Sequence, residues 1–492
     1  MSLVVAGIVP RALGPIAFGN FSFLTDFFTR AFNFFDTGTS TAFYTKLSHQ
    51  PTRFNLIKFF LSYMGIILLV IISLYSILSV TSIHEILWPK QELLFVFMAI
   101  IWAFLMWGNN IFVKIADAYA LTKKSELFKV IQRIIQVLLI LGLVLTGLFT
   151  LVNYFYIQYI GFLLLAFALI VLFKQNGIRL FPHKKIELAE KKEYIKEFYS
   201  YSSPLIIFSI FALIEGIFDR WILQKFAGSA QQGFYGLSLR IASLCFLFSS
   251  AMMPLIMREF AIAFGEKDNK RIKEIYIKFV PIFFFISAFI AIFTSFQSDK
   301  ISLILGGAQF KNAQASMMIM ALYPIHQTFG QFNGSYFLAT NNTKLYSTIE
   351  IIFLVLGIPL TFFLIAPSNF FGLNLGSIGL ASKMVLIQVI GVNVELWFIS
   401  KILKFPYFLL LKKQMSVIIF LCLYAYCSFL IADYLFSNVL LSFLFSGLLY
   451  TIYLIIFIYF VPSIISSSKP ELIGYYQSLV NKIRSINDKN GL

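Results

Sequence analysis

Charged residues are scarce in this chain. Aspartate, glutamate, lysine and arginine make up 12% of its 492 residues, whereas about 25% is usual in soluble domains. Hydrophobic residues reach 59% and the mean hydropathy is +0.84. This composition excludes a soluble globular protein and indicates a polytopic membrane protein.

Cysteine and acidic residues are also few. Cys245, Cys422 and Cys427 all lie within apolar runs, so neither a disulfide framework nor a zinc site is expected. The residues before Pro10 lack a basic region and a small-residue cleavage site, so we expect no cleavable signal. The formal net charge is +17, but the basic residues are spread through short loops, which argues against a nucleic-acid surface.

Apolar runs long enough to cross a bilayer, about 20 residues each, recur along the chain. They follow a short apolar stub at 2–10. We predict thirteen spans, at 18–45, 55–81, 92–121, 127–150, 154–174, 203–224, 233–258, 275–296, 312–339, 343–366, 376–401, 408–433 and 438–462.

The two halves of the chain repeat. Gly14 and Gly19 are separated by the same interval as Gly228 and Gly233, and the offset between the two pairs is 214 residues. The same offset carries spans of the first half onto spans of the second. This correspondence predicts two bundles built alike.

The repeat also bears on the N-terminus. At this offset the span 203–224 corresponds to a segment that would begin before Met1, so the stub is predicted to be the tail of a truncated first helix. The expected fold class is an all-α polytopic membrane protein, with two pseudo-symmetric six-helix bundles plus two extra C-terminal helices.

The distribution of lysine and arginine predicts the orientation. Alternate loops hold 29 of the 39 basic residues and the opposite loops hold five. By the positive-inside rule the first set is cytoplasmic, together with the C-terminal tail. The remaining five basic residues lie inside spans, at Arg30, Lys114, Arg220, Arg240 and Lys383.

A lysine-rich segment, 182–201, joins the halves. Its apolar residues Tyr194, Ile195 and Phe198 suit an amphipathic helix lying against anionic headgroups, and a solvated linker helix is the alternative. The predicted domains are an N-terminal bundle (1–175), a cytoplasmic linker (176–202), a C-terminal bundle (203–401), an extra helix pair (402–462) and a cytoplasmic tail (463–492).

Polar side chains recur at helical spacing in several spans, and such a stripe must face protein or water rather than acyl chains. The span 18–45 carries Ser22, Asp26, Arg30, Asn33, Thr37 and Thr41. We predict substrate-binding roles for Asp26, Arg30, Asn33, Asn110, Lys114, Arg240, Gln327, Gln331 and Lys383, and coupling roles for Glu215 and Asp219. No catalytic or metal-binding residue is predicted.

Each candidate also has a structural interpretation. Asp26 and Arg30 are four residues apart and could form an intrahelical ion pair. Lys114 could pair with Asp117. Arg240 and Lys383 could extend toward the membrane surface instead of facing a cavity.

Several short motifs resemble the polysaccharide flippases, the O-antigen and teichoic-type exporters of the multidrug/oligosaccharidyl-lipid/polysaccharide superfamily. The resemblance covers roughly 8–400. Its motifs are Pro10-Arg11-Ala12-Leu13-Gly14-Pro15 with Phe18-Gly19, the pair Asp219-Arg220, the turn Ala227-Gly228, and Met253-Pro254 followed by Arg258.

The resemblance implies alternating access of two related bundles and a lipid-linked oligosaccharide diphosphate as substrate, moved from the cytoplasmic to the external leaflet of the cell membrane. Arginine and lysine suit a diphosphate, and amides suit sugar hydroxyls. Glycosyltransferases and a polymerase of the same pathway are possible partners. No cofactor is expected, and the coupling ion, H⁺ or Na⁺, stays open.

Three other functions stay open. A multidrug-type cation antiporter of the same superfamily would favour an acidic cavity. A membrane glycosyltransferase or polymerase would need carboxylates and a larger external loop than 297–311. A membrane scaffold would not require charged residues at bilayer depth.

Overall fold

The computed structural model describes residues 2–183 and 186–462. The predicted tail, 463–492, lies outside the described residues. The part of the chain that the structure describes is all-helical and contains no strand. This agrees with the expected fold class.

Four of the first nine helices follow the expected spans 55–81, 92–121, 127–150 and 154–174, and the others depart from the expected bounds. The bounds of all nine are α1 Ser2–Phe35, α2 Thr39–His49, α3 Phe54–Ser79, α4 Ile83–Leu87, α5 Leu93–Ala118, α6 Thr122–Leu145, α7 Leu151–Gln175, α8 Leu188–Ile222 and α9 Gly228–Cys245. A π-helical turn, Leu223–Ala227, connects α8 to α9.

The next nine helices complete the described chain. They are α10 Leu247–Gly265, α11 Asn269–Phe296, α12 Ser298–Ile301, α13 Gln314–Met320, α14 Tyr323–Ala339, α15 Thr343–Ile365, α16 Gly376–Leu403, α17 Tyr407–Leu435 and α18 Val439–Phe460. The expected spans 233–258 and 312–339 are therefore each divided into two helices.

Nine helices of the described residues are long and apolar enough to cross a membrane, namely α3, α5, α6, α7, α11, α15, α16, α17 and α18. The other four expected spans, 18–45, 203–224, 233–258 and 312–339, do not correspond to a helix of this set. The protein is thus a multi-pass membrane protein.

The expected span 18–45 was wrong at its C-terminal end. The predicted stub and the start of this span lie on either side of a break in α1 at Gly14, where φ is 73° and ψ is 171°. Helix α1 then ends at Phe35, and α2 starts after Gly38, which has a left-handed φ of 72°. Glycine adopts such angles without the steric cost that a Cβ adds. The break at Gly14 falls between the predicted stub and span, whereas hydropathy did not reveal the break before α2.

Contacts divide the chain into two units. Within the described residues, the first comprises 2–237, 305–313 and 351–380, and the second comprises 238–304, 314–350 and 381–462. The domain boundaries expected from the sequence stay a prediction.

In the first unit, α1 packs against α5 and α8, and α5 packs against α7. Glycines allow α1 and α9 to cross closely: a Cβ on Gly19 would overlap the backbone of Ser229 and Gly233, and a Cβ on Gly233 would overlap the backbone of Pro15. Small residues are typical of close crossings in membrane proteins.

The predicted linker helix is the first part of α8. Tyr194 and Phe198 are buried and pack against Phe59, with ring centroids 5.3 and 5.9 Å away. Glu197 accepts a hydrogen bond from Lys46 at 2.8 Å. These two aromatic side chains therefore contact protein rather than headgroups, while Ile195 is 58% exposed.

Two hydrophobic clusters lie among the described residues of the second unit. One includes Tyr276, Phe332 and Tyr336, and the other joins α11 to the last two helices. In the latter, Tyr450 of α18 stacks on Phe289 of α11 with ring centroids 4.7 Å apart. The extra helix pair is thus packed tightly against α11.

Candidate functional site

Asp26 and Arg30 form an ion pair along α1. Arg30 Nε lies 2.7 Å from Asp26 Oδ2, and the Arg30 side chain is 36% exposed. A Cβ on Gly216 of α8 would overlap the guanidinium of Arg30. The Arg30 guanidinium can occupy its position because residue 216 is a glycine. The intrahelical pair anticipated from spacing is present, and it leaves part of Arg30 accessible.

Arg220 joins the same cluster from α8. Its Nη2 donates to Ser22 Oγ at 2.6 Å, and its Nε lies 3.7 Å from Asp26 Oδ2. The guanidinium carbon also lies 5.0 Å from the centre of the Tyr235 ring. With 5% of its side chain exposed, Arg220 connects α1, α8 and α9 through charge and hydrogen bonds.

The two residues predicted to couple transport lie beside these arginines. Asp219 is buried and accepts a hydrogen bond from Thr361 Oγ1 at 2.6 Å. Glu215 acts electrostatically on Arg30. The cluster therefore contains three carboxyl groups and two guanidinium groups.

A cavity of about 210 Å³ opens next to this cluster within the first unit. The stripe residues Arg30, Asn33 and Thr37 form one side, and α8 forms the other. Its lining is Arg30, Asn33, Phe34, Thr37, Ser209, Ala212 and Leu213. A guanidinium, an amide and two hydroxyls around one space can donate hydrogen bonds to an anion and accept them from hydroxyl groups.

Lys114 lies in a separate polar cluster at the junction of α1 and α2. Its Nζ donates to Ser40 Oγ, and Ser40 Oγ donates to Asp36 Oδ2 at 2.8 Å. Asp117, the other partner considered for Lys114, has its Oδ1 buried without a hydrogen-bond donor among the described residues, so Lys114 does not pair with that oxygen. Asn110 is exposed on α5, and Lys114 does not line the Arg30 cavity.

Four candidates belong to the second unit. Gln327 accepts from Tyr323 Oη at 2.8 Å, and Gln331 exchanges hydrogen bonds with Ser250. Lys383 is 1% exposed, so its side chain is enclosed by protein. Arg240 lies near the end of α9 and is half-buried.

Three charged residues of interest, Arg220, Glu350 and Glu395, were not among the functional residues predicted from the sequence. Arg220 was noted but given no role, although an intramembrane arginine is itself a signal of a polar partner. Glu350 and Glu395 were missed altogether, and the signal was the same: one carboxylate inside each of two apolar runs. Within the described residues, no group of three metal-ligating side chains is present.

The fold and this cluster define a class: a multi-pass helical membrane protein with a charged, partly accessible polar site between its helices. The model of the polysaccharide biosynthesis protein family matches residues 1–260. The chain belongs to that family, which confirms the resemblance seen in the sequence.

Solved structures with a similar fold have low sequence identity to the chain. Lipid II flippase MurJ in an inward closed conformation aligns with a TM-score of 0.65 at 15% identity, covering 93% of this chain and 97% of that one. An inward-facing multidrug resistance MATE family transporter of the MOP superfamily aligns with a TM-score of 0.61 at 16% identity, covering 82% and 93%. A search of curated proteins gives no significant match.

Proposed function

We propose that this protein is a flippase that moves a lipid-linked oligosaccharide diphosphate from the cytoplasmic to the external leaflet by alternating access. The observation that carries the proposal is the cavity in which Arg30, Asn33 and Thr37 meet Ser209 of α8. Membership of the polysaccharide biosynthesis family and a fold shared with a protein named as a lipid II flippase support it.

The chemistry of the cavity suits the headgroup. A guanidinium binds phosphate oxygens in bidentate fashion and is less strongly hydrated than an ammonium group. Asn33 and the hydroxyls of Thr37 and Ser209 can bind sugar hydroxyls. The acyl chain can stay in the lipid, so the protein need only bind the polar part of the substrate.

The remaining predicted residues keep their proposed roles. Asn110, Lys114, Arg240, Gln327, Gln331 and Lys383 are proposed substrate contacts at other stages of transport, and Glu215 and Asp219 are proposed coupling residues. The positive-inside distribution supports a cytoplasmic C-terminus in the inner membrane. An O-antigen or related surface polysaccharide is the proposed product, with pathway glycosyltransferases and a polymerase as proposed partners.

One observation favours a second candidate, a multidrug-type cation antiporter. The cluster beside the cavity holds three carboxyl groups, Asp26, Glu215 and Asp219, against two arginines. A net negative site attracts cations. We rank this candidate lower because the accessible charged group that lines the cavity is Arg30.

Binding measurements separate the two candidates. Full-length protein in nanodiscs would be titrated with farnesyl diphosphate as an anionic lipid diphosphate and with tetraphenylphosphonium as a lipophilic cation. We expect saturable binding of farnesyl diphosphate that Arg30→Ala weakens about tenfold, the loss of one charged hydrogen bond of about 1.4 kcal/mol. Arg258→Ala is the control, because Arg258 has a side chain that is 71% exposed.

Export in cells supplies a second test. We expect Arg30→Ala and Arg240→Ala, expressed at the normal level, to abolish surface display of the glycan. Normal surface glycan in the double variant, or binding of the cation alone, would contradict the flippase proposal.

A further inference from the structure

Two carboxyl groups lie close enough to interact in the second unit, away from the Arg30 cluster. Glu350 lies near the start of α15, and Glu395 lies two turns before the end of α16. Both helices are apolar enough to cross a membrane, so these carboxyl groups lie on membrane-spanning elements.

The orientation of Glu395 is fixed by a hydrogen-bond chain. Tyr276 Oη donates to Asn333 Oδ1 at 2.5 Å. With its oxygen engaged, Asn333 turns its Nδ2 toward Val392 O at 3.2 Å and Glu395 Oε2 at 3.1 Å. Tyr276 and Asn333 are fully buried, which makes this arrangement rigid.

The second carboxyl oxygen of Glu395, Oε1, lacks the hydrogen bond that Oε2 accepts. Glu395 is 1% exposed, and its Oε1 has no N–H or O–H donor among the described residues. A buried carboxyl oxygen without a donor is costly. The neighbour that can satisfy it is the carboxyl group of Glu350, if that group carries a proton.

Among the residues that the structure describes, no basic side chain acts electrostatically on the pair. The groups that act on it electrostatically in the described part of the chain are the two carboxyls themselves, Tyr276 and Tyr346, with Tyr336 next to Tyr276. Two ionised carboxylates in contact, without a cation, would repel strongly in a site of low dielectric constant. A hydrogen bond between two carboxyl groups requires a proton on one of them.

We propose that Glu350 and Glu395 form a proton-binding site that holds one shared proton, and that this proton couples to transport. Glu395 is enclosed, whereas Glu350 is only half-buried, so Glu350 is the side from which the proton enters and leaves. Asp26 and Asp219, by contrast, lie beside Arg30 and Arg220, which balance their charge. The coupling role rests on the proposed transport function, whereas the shared proton does not.

Infrared difference spectroscopy of full-length protein in nanodiscs tests the proton directly. At neutral pH the wild type should show the C=O stretch of a protonated carboxyl, shifted on transfer to D₂O. Glu350→Gln and Glu395→Gln should each remove that band, because the new amide donates to the remaining carboxylate. Glu274→Gln, an exposed glutamate on α11, should retain it. A missing band, or one that both variants keep, overturns the proposal.

Translocation tests the coupling. Proteoliposomes would carry fluorescently labelled farnesyl diphosphate and a pH difference of one unit across the membrane. With one proton per cycle, the wild type should shift the ratio of probe between leaflets about tenfold, and both glutamine variants should leave it near unity. A shift that persists in both variants overturns the coupling role. If the wild type moves no probe, the flippase proposal fails, and the proton site is decided by the infrared result.

Discussion

Gly19 and Gly233 lie against each other where α1 crosses α9, so closely that a Cβ on Gly19 would overlap the backbone nitrogen of Gly233. The repeat offset of 214 residues relates the two glycines, and it also relates Pro15 to Ser229, whose carbonyl oxygens lie on the opposite sides of the same crossing. Gly14 and Gly228, one repeat apart, share a backbone conformation with φ of 73° and 82°. The equivalent segments of the repeat are thus paired in space.

This crossing predicts a large cost for a single methyl group. Gly233→Ala should lower the free energy of unfolding by about 2 kcal/mol or more, because the backbone of α1 must move away. Thermal unfolding of the full chain in detergent measures the change. The control is Gly65→Ala, since a Cβ on Gly65 meets nothing within 4 Å. Equal stability of the two variants would contradict the close crossing.

Gly216 should position Arg30. Its replacement by alanine places a Cβ against the guanidinium, which must then leave its place beside the cavity. We expect Gly216→Ala to weaken binding of farnesyl diphosphate about tenfold, or about 1.4 kcal/mol, while the protein still folds because Arg30 is a flexible side chain. Gly142→Ala, at a helical glycine in open space, is the matched control. Unchanged affinity in Gly216→Ala would show that Arg30 needs no such support.

Arg220 should matter for folding more than Arg30 does. Arg220→Met removes the buried partner of Asp26 and should destabilise the protein by about 3 kcal/mol. Arg258→Met removes an exposed partner of Glu259 and should change stability by less than about 1 kcal/mol. Both are measured by thermal unfolding. Adding Asp26→Asn to Arg220→Met should restore part of the loss, and no recovery would contradict a charge-based explanation.

The first part of α8 should be held by packing rather than by charge. Phe198→Ala should lower the free energy of unfolding by about 3 kcal/mol, as expected for a buried aromatic residue. Lys46→Ala, which breaks the ion pair with Glu197, should cost about 1 kcal/mol or less. Limited proteolysis near 183–187 reports detachment of the helix, and Ile195→Ala, at an exposed position, is the control. Greater protease sensitivity in Lys46→Ala than in Phe198→Ala would reverse this interpretation.

The second unit contains an ion pair between a buried lysine, Lys300, and an exposed aspartate of α17, Asp433. Lys300 Nζ lies 2.6 Å from Asp433 Oδ1, and the Lys300 side chain is 5% exposed. Asp433→Ala would leave this ammonium without its counter-ion, although it also lies over the Phe429 ring. We expect Asp433→Ala to lower the free energy of unfolding by about 3 kcal/mol. Glu266→Ala, which removes an exposed pair with Arg271, should lower it by less than about 1 kcal/mol. Similar melting temperatures would show that Asp433 contributes little.

The sequence alone determined the fold class and most helix positions. Apolar runs of bilayer length are a strong signal, because a backbone in lipid must satisfy its own hydrogen bonds. This is why α3, α5, α7 and α11 fall close to the expected spans. The stripe on α1 was also visible, since Asp26, Arg30 and Asn33 recur at helical spacing.

Only the tertiary structure decided which of these polar residues meet. Hydropathy did not reveal the break after Phe35, because it depends on backbone angles rather than on polarity. Spacing along one helix could relate Arg30 to Asp26 but could not relate either to Arg220 or Gly216. In the same way, Glu350 and Glu395 are distant in sequence, and the folded chain alone brings their two carboxyl groups close enough to interact.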